Sequence, residues 1–123
     1  MTDRELYDRA VAVSERAYAP YSNYFVGAAV LARDGTVIEG VNVENAAYPL
    51  GVCAERTALS RAVVGGYRPG DLEAIGITAS PCGGCRQWLH EFKLERVTFA
   101  NNDGDVVTYT PGQLLPETWE LPE

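Results

Sequence analysis

The sequence has 123 residues, of which 46% are hydrophobic, and this length suits one domain with its own core. We therefore predict a single domain over residues 1–123. The formal net charge of −7 at pH 7 argues against a polymeric nucleic acid as substrate, because an acidic surface repels phosphate backbones. No apolar run approaches the roughly 20 residues of a membrane span, and the start of the chain is polar, so we expect a cytoplasmic protein.

Hydrophobic periodicity and turn residues divide the chain into nine elements. The boundaries are marked by a capping box at Thr2 and Glu5, a hairpin turn at Asp34-Gly35 and the Gly65-Gly66 pair. The predicted elements are a helix ending near Tyr18, a strand over 26–31, a strand over 36–43, a helix from Val52 to Gly65, a strand over 73–79, a helix from Cys82 to about Phe92, strands over 96–100 and 106–110, and a brief helix over 113–115. This α-β-β-α-β-α-β-β-α order predicts a three-layer α-β-α sandwich around a mixed sheet of about five strands.

The three cysteines carry the strongest chemical signal. Cys82 and Cys85 form a Pro-Cys-Gly-Gly-Cys motif at a predicted helix start, where the helix dipole favours the metal-binding thiolate. Alone, this motif fits a redox pair, half of a structural zinc site or a catalytic zinc site. Cys53 also lies at the start of a predicted helix and can bring a third thiolate to the same place. An odd number of cysteines without a secretory signal points to metal or catalysis rather than disulfides.

The number of available ligands favours a catalytic zinc ion. Structural zinc sites close with four protein ligands, whereas catalytic sites usually keep three and leave one position for water. The single histidine, His90, lies mid-helix and faces away from a metal at that helix's first turn, so we interpret it as a structural or surface residue. Glu55 follows Cys53 closely and is a natural base for a zinc-bound water. Without Cys53, it would be interpreted as a carboxylate favoured by the helix dipole.

Two arginines accompany these residues. Three thiolates on a divalent ion make a negative site, which weakens the acidity of zinc toward water. Arg56 follows Glu55, and Arg86 follows Cys85, although an arginine at a helix start works against the helix dipole. We therefore expect both guanidinium groups to support the metal ligands by donating hydrogen bonds to sulfur.

The combination of Cys-Ala-Glu with Pro-Cys-x-x-Cys fits the zinc deaminase signature, with cysteine where many members have histidine. Beyond these motifs, the chain resembles the small homotetrameric cytidine deaminases. The matching segments are Ala19–Ser22, Val26–Ala29, Gly40–Ala46, Tyr48–Ala58, Ser80–Gln87 and Leu114–Pro116. This resemblance implies a cytidine deaminase-like fold, one Zn²⁺ per chain on Cys53, Cys82 and Cys85, and a homotetramer with shared active sites.

The resemblance also implies substrate-binding roles. Asn42 and Glu44 would hold the ribose hydroxyls from the end of the second strand, and the backbone of Ala54 would contact the base carbonyl. Glu55 would contact N3 and the amino group of the base. The remaining implied residues are Tyr24 beside the base or sugar, Ala46 and Tyr48 in a segment that reaches a neighbouring subunit, and Trp119 near the base. Without the resemblance, Asn42 and Glu44 could equally be polar strand-end residues, and Trp119 a small core anchor.

The chain departs from the family in two places. The family commonly has Phe-Pro before Val-Gly-Ala, whereas this chain has Tyr24-Phe25, and the added hydroxyl can change selectivity. The strand ending at Ala79 leads almost directly into Ser80-Pro81-Cys82, where many relatives have a longer loop. The second departure alters the rim of the pocket and leaves the metal ligands in place. The sequence does not decide between ribose and deoxyribose.

These observations predict hydrolytic deamination of free cytidine and deoxycytidine to uridine and deoxyuridine plus ammonia, a reaction of pyrimidine salvage. A zinc-activated water would attack C4 while Glu55 shuttles protons to N3 and to the amino group. Three alternatives remain: deamination of a modified cytosine nucleoside such as blasticidin S, polynucleotide editing, and a non-catalytic zinc module. The net charge argues against editing, and the module needs a fourth ligand that the sequence does not obviously offer.

Overall fold

A computed structural model describes residues 1–122 of the protein. Its elements are α1 (Asp3–Ser14), β1 (Gly27–Ala32), β2 (Val37–Val41), α2 (Ala54–Val64), β3 (Leu72–Ile77), α3 (Gly83–Glu91), β4 (Arg96–Ala100), β5 (Val106–Tyr109) and α4 (Pro111–Leu114). A short 3₁₀ helix over Tyr48–Leu50 lies between β2 and α2. Across residues 1–122, no helix is both long and apolar enough to cross a membrane.

The strands form a mixed five-stranded sheet in the order β2-β1-β3-β4-β5. Only β3 and β4 pair in parallel among these neighbours, and α3 provides the crossover that parallel strands require. The other neighbouring strands pair antiparallel. The predicted mixed sheet of about five strands is confirmed.

Helices cover both faces of this sheet because β1 is apolar on both sides. Val30 belongs to a buried cluster with Leu59 of α2 and Leu89 of α3. The next residue, Leu31, belongs to the opposite cluster with Leu6 of α1. Successive side chains of a strand point to opposite faces, so these two clusters lie on either side of the sheet. The predicted three-layer α-β-α sandwich is therefore confirmed.

Gly40 of β2 sets the position of α2. A Cβ atom at this glycine would collide with the backbone of Ala58 and would lie 2.7 Å from the carbonyl oxygen of Ala54. The missing side chain thus lets the first turns of α2 lie directly against the strand. This contact fixes the start of α2, where Cys53 and Glu55 lie.

Two sequence predictions about element bounds were wrong. The first helix ends at Ser14 rather than near Tyr18, because the backbone N–H of Tyr18 donates to the carbonyl of Asn42 at 3.0 Å. The second strand ends at Val41, so Asn42 and Glu44 follow the strand instead of lying on it. The other predicted bounds differ from the structure by no more than two residues.

Candidate functional site

The structure brings the three cysteines together at the starts of two helices. Cys53 is the N-cap residue of α2, Cys82 is the N-cap residue of α3, and Cys85 lies in the first turn of α3. Their sulfur atoms all lie within 4.8 Å of one another, and all three thiols are free. The sulfur of Cys82 also accepts a hydrogen bond from the backbone N–H of Cys85 at 3.4 Å. One metal ion can therefore be held by all three sulfurs.

The surroundings of Cys53 favour its thiolate form. The first N–H groups of α2 and α3 have no partner within their helices, and both helix dipoles place positive charge near the sulfurs. A hydrogen bond from Cys85 lowers the pKa of Cys53 to about 6. The same bond, together with burial, raises the pKa of Cys85. Cys53 therefore ionises more readily than Cys85, and the thiolate is the form that binds metal.

Glu55 is buried beside these sulfurs. It is the second residue of α2 and only 4% exposed, although a charged side chain is seldom this buried without a partner. Burial raises the pKa of its carboxyl, and hydrogen bonds from its own backbone and from Cys85 partly oppose that rise. A carboxyl with a raised pKa takes up a proton more readily than an exposed one, as a general acid–base group must.

Two adjoining cavities open beside the cysteine cluster, and both are lined in part by Cys53. The inner one has a volume of about 230 Å³ and the outer one about 510 Å³. Residues that line the inner cavity include Tyr24, Asn42, Cys53, Ala54, Glu55 and Cys82. Residues that line the outer cavity include Tyr21, Ser22, Asn42, Glu44, Tyr48 and Cys53. Asn42 and Cys53 line both, so a ligand with two parts can occupy both spaces.

Asn42 and Glu44 are held by hydrogen bonds to the loop that precedes β1. The Asn42 side chain accepts from the N–H of Val26 at 2.8 Å and donates to the carbonyl of Tyr24 at 2.9 Å. The Glu44 carboxylate accepts from the hydroxyl of Ser22. This bond lowers the pKa of Glu44, which stays ionised as an acceptor. Both side chains are therefore oriented before any ligand arrives.

Arg56 lies against the cysteine cluster. A hydrogen bond with Cys85 and the charges of the three cysteines raise its pKa, although burial alone would lower it. Its guanidinium group fills the space over the backbone of Gly84, where a methyl group would collide with Nη2. The buried Nε has no hydrogen-bond partner in the described structure. Arg56 therefore lies beside the cysteine cluster, and its expected hydrogen bonds to the metal ligands stay a prediction.

Arg86 has a different role from the expected one. Its Nε donates to the carbonyl of Pro81 at 2.9 Å and its Nη1 to the carbonyl of Leu114 at 2.9 Å. A longer bond of 3.3 Å joins Nη2 to the hydroxyl of Ser80. The predicted donation to sulfur was wrong, because the guanidinium points toward the segment before Cys82. Arg86 instead fastens this short segment to the loop after α4.

The remaining predicted residues lie toward the outside. Tyr48 lines the outer cavity and is 76% exposed. Ala46 and Trp119 are absent from the lining of both cavities within residues 1–122, and Trp119 is 68% exposed. Thr118 and Glu120 flank Trp119, and each lies 3.1 Å from Nε2 of His90. His90 therefore contacts the C-terminal segment, in agreement with its interpretation as a structural residue.

Sequence reasoning did not single out Ser22, which lines the outer cavity, or Trp88, which contacts Arg56. Ser22 hydrogen-bonds to Glu44, and its hydroxyl also accepts from the N–H of Tyr24 at 3.0 Å. A serine that bonds to the N–H two residues later forms a recognisable turn, so the Ser-Asn-Tyr segment carried a signal. Trp88 faces the guanidinium of Arg56. The spacing from Arg56 gave no signal for that contact, because the two residues belong to different helices.

Three clustered thiols that can hold a metal ion, next to a buried carboxyl that can exchange protons with a metal-bound water, are typical of metal-dependent hydrolases. The fold and the site define this class. A family model described as the cytidine and deoxycytidylate deaminase zinc-binding region matches residues 1–101. The chain belongs to this family. Its cofactor is Zn²⁺, and the cluster of Cys53, Cys82 and Cys85 suits that ion because zinc readily takes thiolate ligands.

Individual relatives agree with the family assignment. A cytidine deaminase from Halalkalibacterium halodurans is 45% identical over 123 residues, covering 93% of this chain and 92% of the relative. A cytidine deaminase from Sporosarcina psychrophila is 46% identical over 110 residues, covering 83% of this chain and 79% of the relative. The crystal structure of a cytidine deaminase from Burkholderia pseudomallei superposes with a TM-score of 0.90 at 46% identity, covering 97% of this chain and 100% of that chain.

Proposed function

We propose that this protein is a cytidine deaminase that converts free cytidine and deoxycytidine to uridine and deoxyuridine with release of ammonia, as a step of pyrimidine salvage. The observation that carries this proposal is the buried Glu55 carboxyl on the wall of the inner cavity, beside Cys53 and Cys82. Relatives of the chain that match over most of their length are named cytidine deaminase. The three thiols must stay reduced to bind zinc, which supports a cytoplasmic location.

The mechanism divides the chemistry between the metal and Glu55. Zinc held by Cys53, Cys82 and Cys85 would lower the pKa of a coordinated water and so provide a nucleophile for C4 at neutral pH. Glu55 would accept a proton in this cavity and deliver it to N3 of the pyrimidine ring. The same carboxyl then takes the remaining proton of the new hydroxyl group at C4 and passes it to the amino group, so that the C4–N bond breaks, ammonia leaves and the C4 carbonyl forms. Its raised pKa favours this transient protonation.

The groups around the cavities supply the contacts for the nucleoside. Ala54 begins α2, and its backbone N–H is free of intrahelical bonds and can donate to the base carbonyl. Tyr24 and Asn42 line the inner cavity with Glu55, which supports the proposed position of Tyr24 beside the base or sugar. Asn42 and Glu44 would bind the ribose hydroxyls from the outer cavity.

Charge balance at the metal depends on the arginines. Three thiolates and one Zn²⁺ carry a net negative charge, which would make the bound water less acidic. The Arg56 guanidinium, whose pKa the cysteines raise against the effect of burial, offsets part of this charge. Arg86 supports Cys82 indirectly through its bonds to Pro81 and Leu114.

We also propose a homotetramer with shared active sites. Exposed apolar side chains line the outer cavity, among them Tyr48 at 76% and Val43 at 42% exposure. A second apolar groove, lined by Val63 and Trp88, runs between α2 and α3. Two separate apolar faces are what a closed tetramer needs, because each subunit must contact more than one neighbour.

In this assembly, Ala46 and Tyr48 would reach a neighbouring subunit and Trp119 would pack near a base. Light scattering coupled to size exclusion measures the assembly directly. The expected mass is four times the 13.4 kDa of the chain. A variant with Tyr48→Asp should form smaller species and lose activity together, since burying an unpaired charge is costly. A wild-type protein that elutes at the mass of one chain would contradict the tetramer.

The activity itself is tested by following the ultraviolet absorbance of cytidine and deoxycytidine with zinc-loaded protein, while ammonia is assayed in parallel. Turnover of either nucleoside with stoichiometric ammonia supports the proposal, and the ratio of the two rates gives the sugar preference. Blasticidin S serves as the third substrate. Turnover of blasticidin S without turnover of either nucleoside would replace the proposed substrate with a modified one.

A further inference from the structure

Ser22 links the two residues proposed to bind the sugar. Its hydroxyl donates to Oε2 of Glu44 and accepts from the backbone N–H of Tyr24. The other carboxylate oxygen, Oε1, accepts from the backbone N–H groups of Tyr21 at 3.0 Å and Ser22 at 3.1 Å. The carbonyl of Tyr24 accepts from the side chain of Asn42. One continuous network therefore runs from Glu44 through the Ser22 loop to Asn42.

The Glu44 carboxylate can accept one more hydrogen bond than it receives from the loop. A carboxylate has about four acceptor positions, and the loop occupies three of them: two N–H groups on Oε1 and the Ser22 hydroxyl on Oε2. The free position belongs to Oε2, the oxygen that Ser22 contacts. Because Glu44 lines the outer cavity, a hydroxyl of a bound sugar can fill that position.

The Ser22 hydroxyl is itself fixed in direction. It has one hydrogen, which goes to Glu44, and the N–H of Tyr24 approaches its oxygen at 3.0 Å. Asn23, between these two residues, has a φ of 58°, a left-handed conformation that asparagine tolerates well in turns. The turn thus aims the hydroxyl at Glu44. Without this bond, a glutamate side chain would have to lose its rotamer freedom when the substrate binds.

We propose that Ser22 is a positioning residue for the substrate sugar, which holds Oε2 of Glu44 ready to accept a hydrogen bond from a ribose hydroxyl. This inference rests on the proposed function. It assigns Ser22 no contact with the reacting atoms, so the loss of its hydroxyl affects binding of the sugar rather than chemistry at C4. A purely structural role in the loop would instead affect all substrates alike.

Steady-state kinetics of Ser22→Ala separate these two roles. With cytidine, KM should rise roughly fivefold to tenfold while kcat changes less than about twofold. This rise corresponds to about 1–1.4 kcal/mol, which lies within the usual contribution of one hydrogen bond. With 2′,3′-dideoxycytidine, which lacks the 2′- and 3′-hydroxyl groups of the ribose, the substitution should change kcat/KM less than about twofold. Ser22→Thr keeps the hydroxyl and should restore the preference for cytidine.

A double-mutant cycle supplies the second readout. In a Glu44→Ala background, Ser22→Ala should have no further effect on the KM for cytidine, since its partner is gone. Equal losses on cytidine and dideoxycytidine would overturn the positioning role. If Ser22→Ala folds poorly, Ser22→Cys provides the same comparison with a weaker donor. Zinc-loaded wild type that deaminates neither substrate would overturn the proposed function and this inference with it, a pattern distinct from equal losses in an active enzyme.

Discussion

The guanidinium carbon of Arg56 lies 5.9 Å from the centroid of the Trp88 ring, so the arginine is enclosed between this ring and the cysteine cluster. Trp88 in turn stacks on Phe92 with ring centroids 6.1 Å apart. The aromatic face attracts the cation and keeps water from it, which strengthens its effect on the sulfurs. Arg56 of α2 therefore offsets the negative charge of the metal site, and Trp88 of α3 strengthens this effect.

Arg56→Gln tests this control of charge. The glutamine keeps a hydrogen-bond donor but removes the positive charge, so the thiolates lose their neutralising partner. Zinc affinity should fall about 10- to 100-fold, the usual cost of removing a group that supports metal ligands. Competition with a chromophoric chelator measures the change. Arg16→Gln makes the same change of charge at an exposed residue and should leave affinity unchanged. Equal affinities of Arg56→Gln and wild type would show that the charge is irrelevant.

Glu55→Gln should separate metal binding from catalysis. The amide occupies the same space as the carboxyl but cannot accept and return a proton. We expect full zinc occupancy with a loss in kcat of about 10²- to 10⁴-fold, the contribution typical of general acid–base groups. Metal analysis and the ultraviolet assay check the two parts. Glu44→Gln is the matched control and should act mainly on KM. Near-normal kcat in Glu55→Gln would remove this residue from the mechanism.

The parts of this protein that sequence reasoning predicted share one property: their signals are local. Cys53 and Cys82 each stand directly before a helix, and a cysteine that caps a helix can be read from the residues around it. Residues 96–100 form a short apolar strand between turn residues, and the structure has a strand with these bounds. Hydrophobic alternation and turn residues can be recognised in the sequence without knowing which distant residues they contact.

The errors came from partners far along the chain. The helical pattern near Tyr18 continues past Ser14, but pairing of Tyr18 with the Asn42 backbone ends the helix there. The position of Arg86 directly after Cys85 predicts a guanidinium that faces sulfur, whereas the carbonyl of Leu114, 28 residues further along the chain, accepts one of its hydrogen bonds instead. Spacing alone gives no information about such long-range hydrogen bonds.

Removal of zinc should destabilise the fold as well as abolish activity. The ligands come from the start of α2 and the start of α3, so the ion connects two helices through bonds that the unfolded chain lacks. Treatment with a chelator should lower Tm by at least about 5 °C, which corresponds to about 1 kcal/mol in a domain of this size. Adding Zn²⁺ should restore Tm, and Mg²⁺ should not, because magnesium prefers oxygen ligands. An unchanged Tm after complete metal removal would show that zinc contributes nothing to stability.

Gly40→Ala should disturb the start of α2. Its methyl group would collide with the backbone of Ala58, which cannot move without shifting the helix. We expect a loss of about 1–3 kcal/mol in the free energy of unfolding, as for other overpacked sites. A fall in kcat should accompany it, because Glu55 moves with the helix. Urea unfolding monitored by circular dichroism measures the first effect.

Gly112→Ala is the matched control for that substitution. A Cβ at Gly112 would meet only the hydroxyl of Thr110, at an ordinary 4.0 Å. The alanine should leave stability equal or slightly higher, since alanine favours helix. If Gly40→Ala were as stable as this control, the close approach of α2 to β2 would not be a constraint.

Arg96→Met should reveal the contribution of a charge cluster at the opposite end of the sheet. Arg96 donates to Asp3 at 3.0 Å and to Glu73 at 2.9 Å. The bond from Arg96 lowers the pKa of Glu73 in the folded protein. A carboxyl with a lowered folded pKa stabilises the protein above its unfolded pKa of about 4.3 and loses that contribution as the pH falls through the folded value.

The difference in urea midpoint between wild type and Arg96→Met should therefore be largest near pH 7 and shrink as the pH falls below about 4. Zinc loss in acid affects both proteins and cancels in this difference. Arg4→Met removes the more exposed Arg4–Asp8 pair, whose separation is 3.2 Å, and should change the midpoint little at any pH. A wild-type advantage over Arg96→Met that stays constant down to pH 3 would mean that Arg96 stabilises the sheet by packing of its methylene groups rather than through the Glu73 carboxylate.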